Sequence, residues 1–493
     1  MKRSLSAGLL LTFSFAASIG NATLWGGSWM EFRGPLRTGH ATGTPGFPDE
    51  IGPTKNVLWK TPLPPGHSSP VLTETRVFVT AIDDRKRLLT ICLDRSSGQK
   101  LWKREAPYQT LEKIHRIGSY AQSSPVSDGE RVVSFFGSSG LWCHDLEGNL
   151  LWKHAMGPFK NDFGSGSSPI IEGESVILAQ DHDTDSFLMK IDKRSGEIVW
   201  RIDRSEFPRN FSTPLIWENN GNKEIVMAAT LRIVGYDFET GKENWSVGGV
   251  SRIINMSPIA GEDGNLYVAC WAPGGDENAR IQVPPFGEFS KESDKNSNQT
   301  IEVEEVEDPA VKQRFSQIDR DKSGSITETE WEGMRRVFDN ARNQIVGIKP
   351  GGVGDITKTH VLWSFNRQLP YCPTPLYHDG RIYMVKDGGI FTALDSKTGL
   401  AIKSGRVFGT GSYYASPVYG DGKIFVVSSV GELSILRPDE AWTEVSQAEF
   451  KEDVYSTPAL VDGKIYLRTS SQLYCFGSNE VASKSVGTEI GSE

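Results

Sequence analysis

Apolar residues along this chain fall into short runs separated by turn residues, and one pattern returns eight times. A run rich in β-branched residues recurs as RVFVTA (76–81), RVVSFF (131–136), SVILAQ (175–180), EIVMAA (224–229), NLYVAC (265–270), RIYMVK (381–386), KIFVVS (423–428) and KIYLRT (464–469). Runs this short, preceded by turn pairs such as DG and NG, predict strands and not helices. Upstream of each run stands a Ser-Pro or Thr-Pro pair, with the prolines at Pro70, Pro125, Pro169, Pro214, Pro258, Pro375, Pro417 and Pro458. Successive intervals are 55, 44, 45, 44, 117, 42 and 41 residues. The long interval exceeds its neighbour by 73 residues, so an insertion of about that length lies between Pro258 and Pro375.

Each repeat continues with a third strand that often ends in Asp (ICLD, CHDL, KIDK, GYDF, TALD), a Ser/Thr-Gly turn, and a fourth strand that often carries Trp. Asp94–Trp102, Asp192–Trp200 and Asp237–Trp245 are each eight apart, and Asp145–Trp152 seven. The Asp can accept backbone N–H bonds within its own turn, and the Gly supplies positive φ. Four short strands in about 42–45 residues make one antiparallel sheet with two apolar faces, which must stack on copies of itself; radial stacking into a β-propeller is the usual solution at this period. The Trp is placed to pack between neighbouring sheets. The last repeat has three strands, and the orphan strand 56–60 near the N-terminus (NVLWK, with Trp59) supplies the fourth, removing an exposed edge. The expected fold is therefore all-β: an eight-bladed propeller of four-stranded antiparallel blades, with a small α-helical insertion in blade five. Lys403 stands where blade six should have Trp, and Arg437-Pro438-Asp439 interrupts blade seven; looser outer strands are expected in both. Cys92, Cys143 and Cys475 share one third-strand slot, which predicts packing in place of redox chemistry. With Cys270 and Cys372 the count is odd, and no CxxC pair exists.

Lys2 and Arg3 precede an apolar run from Ala7 to Ala17 and then small residues, the order of a secretory signal cut near Gly20 or Ala22. The run is too short to span a bilayer, no later stretch is long enough, and no Cys precedes Cys92 to take a lipid anchor. A soluble monomer, periplasmic or secreted, is expected. The net charge of −9 and the lack of any Lys/Arg cluster in the sequence argue against nucleic acid as the partner. The expected division is a signal peptide over 1–22, propeller over 23–272, the insertion over 273–342, propeller again over 343–478, and a disordered tail over 479–493.

The insertion holds DRDKSGSITETE (319–330) between segments of helical periodicity. Asp319, Asp321, Ser323, Ser325 (through its carbonyl), Thr327 and Glu330 fall on positions 1, 3, 5, 7, 9 and 12 of an EF-hand calcium loop, with Gly324 at the sharp turn and Ile326 at the apolar position. A degraded copy, DKNSNQTIEVEE (294–305), puts Asp294, Asn296, Asn298, Thr300 and Glu305 on ligand positions but Gln299 where Gly belongs. It is expected to bind calcium weakly or not at all, as a partner loop. Eight acids and two bases give residues 286–310 a local charge of −6. The insertion leaves from the connection between strands two and three of blade five, so it sits at the end of the propeller that carries the loops preceding the Ser/Thr-Pro pairs. Those loops ring the channel mouth. They hold His67, Arg116, Tyr120, Arg209, Asn210, Arg252, Tyr371, Tyr413, Tyr414 and Tyr455, and Tyr and Arg are typical contact residues. Tyr120, Arg209, Arg252, Tyr371, Tyr414 and Tyr455 are the candidate partner-binding rim.

The Ser/Thr-Pro starts, the D-x-x-S/T-G-x-x-x-W endings and WMEFRGPLRTG ahead of the first blade together resemble exported PQQ-like β-propeller repeat proteins. The resemblance implies a propeller akin to pyrroloquinoline-quinone dehydrogenases and to the outer-membrane assembly scaffold; it does not choose between them. The dehydrogenases hold their quinone beside two adjacent cysteines, which this chain lacks, and their calcium lies with the quinone inside the propeller. The expectation is a calcium-binding, non-enzymatic scaffold for protein or glycan at the channel mouth, with no catalytic residue assigned. A quinone-dependent oxidoreductase is the alternative.

Overall fold

The computed structural model describes residues 27–478 except Thr184, Arg280, Ile281, Arg320 and Asp321; the signal and tail expected at the two ends lie outside the described residues. Eight four-stranded antiparallel blades are present, and blade four takes on a fifth strand. Blade one is typical, with strands Val71–Leu72, Arg76–Ile82, Leu88–Asp94 and Lys100–Glu105. Its second and third strands are buried almost throughout, while the fourth alternates between half-buried and exposed. That division follows from position: inner strands are covered on both faces by neighbouring blades, and the outer strand meets water on one side. In blade eight the fourth strand is Val57–Pro62, paired antiparallel with Gln472–Phe476 so that Trp59 lies opposite Cys475. The first and last parts of the chain thus close one sheet.

The Ser/Thr-Pro pairs form a closed ring. The backbone N–H of Ser69 donates to Ser124 Oγ (3.0 Å), Ser124 to Ser168 (3.0 Å), Ser168 to Thr213 (3.0 Å), and Thr213 to Ser257 (3.2 Å). Ser257 donates to Thr374, Thr374 to Ser416, Ser416 to Thr457, and Thr457 back to Ser69, each at 3.0 Å. Every blade is therefore tied to the next by the same bond. The proline that follows has no N–H, so it adds no second donor needing a partner at the channel wall.

The outer grammar is a second blade-to-blade contact. Asp94 Oδ1 accepts from the N–H groups of Ser96 and Ser97, and from both hydroxyls; these bonds, the hydroxyls first, hold its carboxyl down at about 2. Trp59, Trp102, Trp152 and Trp363 each donate an indole N–H to the carbonyl of the residue after that Asp in the following blade, at 2.8–3.2 Å. The turn glycine lies under the same ring: a Cβ on Gly98 would stand 2.4 Å from Trp59, and one on Gly399 2.4 Å from Trp363. The turn glycine thus has a positive φ and must also leave room for the Trp of the preceding blade.

Blades six and seven differ from expectation. Their fourth strands, Ala401–Arg406 and Thr443–Glu449, are as long as the others and pair along the full third strand. Lys403 takes the Trp slot by laying its ammonium 4.1 Å above the Trp442 ring of the next blade and donating to the Trp442 carbonyl (2.7 Å). A cation–π contact and a hydrogen bond stand in for the indole. Cys92, Cys143 and Cys475 lie buried opposite Trp102, Trp152 and Trp59. Burial pushes the first two thiols up to about 12 and Cys475 to about 11, so they are inert packing groups.

Ahead of the closing strand, residues 27–47 cross the face opposite the Ser/Thr-Pro loops. Trp29 and Leu72 exchange backbone bonds at 2.8 Å, Ser127 N–H donates to Met30, and Ala41 N–H donates to Tyr419. Arg33 is 1 % exposed and donates to five carbonyls, among them Thr374 (3.1 Å), Pro375 (2.8 Å) and Pro417 (3.5 Å). Burial pushes this guanidinium down to about 9. The strap seals one end of the channel.

If the ring carries the blade seams, Ser69→Ala should leave the Thr457 N–H buried without an acceptor and cost about 1–3 kcal/mol. The urea midpoint of the full-length protein measures this loss, and an unchanged midpoint would reject the role.

Candidate functional site

The strap makes the channel a blind recess of about 200 Å³. Phe32 forms its floor, the eight ring Ser/Thr residues its lower wall, and the loops before the Ser/Thr-Pro pairs its mouth. Of the candidate rim residues, Arg209, Tyr371, Tyr414 and Tyr455 line this recess, together with His67. His67 stacks on Tyr455 at 3.9 Å, Tyr455 meets Tyr414 at 5.1 Å, and Tyr371 stands edge-on to Trp271 at 5.5 Å. Burial, and then the nearby Arg468 charge, push His67 down to about 4. Arg209 bonds Asp183 (2.7 Å) and pairs with Asp162 (3.0 Å).

Other rim candidates are tied up elsewhere. The Tyr120 hydroxyl donates to the Glu112 carbonyl at 2.7 Å, and Tyr413 is fully buried with its hydroxyl on Gly409 O. Asn210 bridges Asp181, Thr230 and the Ile254 N–H. Arg252 reaches away from the channel to the Pro273 carbonyl and lies 5.3 Å from the Phe338 ring of the insertion. Sequence reasoning missed Phe163, Phe211 and Cys372 on the wall; all three precede their Ser/Thr-Pro pairs and could have been found by the loop rule that gave the tyrosines. Burial raises the Cys372 thiol.

The insertion runs between the second and third strands of blade five, Leu266–Cys270 and Gln344–Ile348. It holds helices α1 (Phe286–Ser293), α2 (Pro309–Ile318) and α3 (Glu328–Asn340). The 294–305 and 319–330 loops lie side by side, joined by an antiparallel pair between Ile301–Glu302 and Ser325–Ile326. Both isoleucines are fully buried, in a cluster with Phe315 and Trp331. The loops share one backbone course. Asp294 accepts from the N–H groups of Asn298 and Gln299, and Asp319 from those of Ser323 and Gly324. The fourth and sixth positions have positive φ in both: Ser297 (61°) and Gln299 (68°), Lys322 (60°) and Gly324 (91°).

Their interiors differ. In the second loop, Glu330 closes a reciprocal cap with Thr327, whose N–H donates to its carboxylate at 2.9 Å; the Ser323 hydroxyl donates to the Ser325 carbonyl at 3.1 Å, and Asp321 lies outside the described residues. In the first loop, Asn296, Asn298 and Thr300 all donate to the Glu302 carboxylate at 2.9–3.1 Å, while Glu305 accepts the Lys295, Asn296 and Glu302 N–H groups. Glu302, at loop position 9, was absent from the candidate ligands. Its neighbours, Asn298 first, hold its carboxyl down at about 2.

The family model described as outer membrane protein assembly factor BamB matches residues 51–269, the closing strand through blade five's second strand. Among solved structures, BamB from Moraxella catarrhalis is 12% identical, with 86% of this chain and 98% of that chain covered at a TM-score of 0.51. The quinohemoprotein alcohol dehydrogenase from Comamonas testosteroni is 14% identical, with 92% and 81% covered at 0.50. The computationally designed Ika8 protein is 10% identical, with 86% and 100% covered at 0.53. At these identities the likeness is one of fold. No curated protein matches the chain. The class is an eight-bladed β-propeller. Over residues 51–269 its repeats are similar to those of that family model, and among the described residues no helix is long and apolar enough to cross a membrane.

Two outcomes follow. A neutral His67 means the unfolded chain binds the extra proton between about pH 4 and 6.5, so this residue's contribution to stability is lost as pH falls through that window. Unfolding free energies of His67→Gln should therefore depend less on pH there, by roughly 1 kcal/mol per pH unit; parallel curves would show that the imidazole titrates normally. At Gly324 the positive φ is the whole constraint, since a Cβ there would meet nothing within 4 Å. Gly324→Ala should cost about 1–2 kcal/mol, read as faster hydrogen exchange at Ile301 and Ile326.

Proposed function

We propose that this protein is an exported, calcium-binding propeller that acts as a non-enzymatic scaffold, receiving a protein or glycan partner at the open mouth of its channel. The observation that carries this reading is the recess itself: sealed below by Phe32, walled by hydroxyls, and rimmed by Tyr371, Tyr414 and Tyr455 beside His67. Its titratable groups suit binding more than proton transfer. The imidazole is held neutral and stacked, the Cys372 thiol is raised, and Arg209 is engaged by two carboxylates. The match to a model described as an assembly factor favours a protein partner.

The alternative, a quinone-dependent oxidoreductase, fits these residues poorly. Pyrroloquinoline quinone carries three carboxylates, and the cation on the recess wall, Arg209, already serves Asp162 and Asp183. For calcium, the second loop offers the hard oxygen set the ion requires: Asp319 and Glu330 carboxylates, Ser323 and Thr327 hydroxyls and the Ser325 carbonyl, with Asp321 as the further carboxylate. The first loop has spent its amides on Glu302, which suits a partner loop.

Calorimetric titration of the purified mature protein should show one calcium site that Glu330→Gln weakens at least about tenfold, as expected when the bidentate ligand is lost. Added pyrroloquinoline quinone should give neither bound absorbance nor dye reduction with alcohols or sugars. Dye reduction would overturn the scaffold reading, and the lack of any calcium heat would overturn the metal reading.

A further inference from the structure

Between the insertion and blades three and four lies a cleft of about 650 Å³, which meets the channel mouth at Arg209 and Ile253. Seven cations line it against four carboxylates, in a chain whose net charge is −9. Arg209 and Arg232 are paired with acids. Lys160, Arg252 and Arg314 form no ion pair among the described residues, and Arg336 acts on the Glu332 carboxylate only through its charge, without an ion-pair contact. Arg252 is the most constrained of them: burial first, then Arg314 and Arg209, push its guanidinium down. Like charges gathered on facing elements repel one another, and the four lining carboxylates, Asp183, Glu206, Asp319 and Glu330, leave an excess of three cations. Such an arrangement is complementary to an anionic partner.

We infer that this cleft is the docking site for an acidic peptide segment of a partner protein. The inference rests on the scaffold reading above and names the chemistry of the partner. The rest of the lining favours peptide over an acidic glycan. It is aliphatic (Pro208, Leu231, Ile253, Met334, Val337), and its one aromatic ring, Phe338, already carries Arg252. Sugar rings pack their C–H faces on open aromatic faces, whereas aliphatic patches among cations suit acidic and apolar side chains in alternation. Asp319 and Glu330 of the second loop also line the cleft. Calcium held there would cancel negative charge on the wall, so calcium and the acidic segment should strengthen each other's binding.

The test uses the full mature protein and a fluorescein-labelled twelve-residue peptide of alternating Glu and Ala, read by anisotropy, with the Lys-Ala peptide and an oligogalacturonate as comparisons. Saturable binding of the acidic peptide is expected, weakened by salt. Lys160→Glu and Arg336→Glu, both at exposed positions, should each weaken it about fivefold or more, and Arg252→Glu further; Lys103→Glu on blade one should not. Calcium should tighten binding by about 5-fold, in the usual range of linked sites. Equal binding by the variants, binding of the Lys-Ala peptide, or capture of the oligogalacturonate alone would overturn the inference. The parallel calcium titration separates the two readings. Calcium heat without peptide binding removes this inference and leaves the metal site standing; peptide binding without calcium heat does the reverse.

Discussion

The molecule depends on one repeated bond: a Ser or Thr hydroxyl in each blade accepts the N–H of the equivalent residue in the blade before it. The innermost strand of every blade is an edge strand, and its donors face a channel too narrow to admit another strand. A buried, unpaired N–H there would cost more than most single contacts return. The hydroxyl satisfies that donor, and the following proline removes the next one. Because donor and acceptor sit on successive blades, the arrangement has no natural end until the eighth meets the first. Thr457 to Ser69 completes the circle, and the pairing of Trp59 with Cys475 completes it again at the rim.

That closure gives two unlike faces. One is covered by the strap, whose Arg33 is held by main-chain carbonyls and, among the described residues, by no carboxylate, an arrangement that fixes the strap to blades six and seven. The other is left open, with aromatic side chains around the recess and the insertion standing beside it. Both the recess and the cationic cleft open on this second face, and Arg209 belongs to both.

Much of this was legible in the residues because it is local or periodic. Blade number, strand order, the closing strand and the role of Asp and Gly in the turns follow from spacing and from turn chemistry. Lys403 was misjudged because the sequence shows only that a Trp is missing; that Trp442 of the next blade arrives to receive the ammonium is a fact about neighbours. The placement of the rim side chains shows the same limit. Being in a mouth-side loop placed Tyr371, Tyr414 and Tyr455 on the recess, but Tyr120 and Arg252 sit in such loops too, and packing against Glu112 and Phe338 turned them elsewhere. The two inserted loops were legible by position, yet Glu302 escaped notice because its importance comes from three side chains converging on it.

The sequence by itself determined the repeat, the closed eightfold architecture and the oxygen-rich loop, because each is written in residues that lie close together or recur at one interval. Only the tertiary structure decided that the channel is blind, which loop side chains face it, and that cations from residues 160, 252, 314 and 336 share one cleft. Those groups are separated by up to 92 positions between neighbours in the chain. Their combined electrostatic field exists only once folding has gathered them around one cleft, because the interaction of charges falls off with distance.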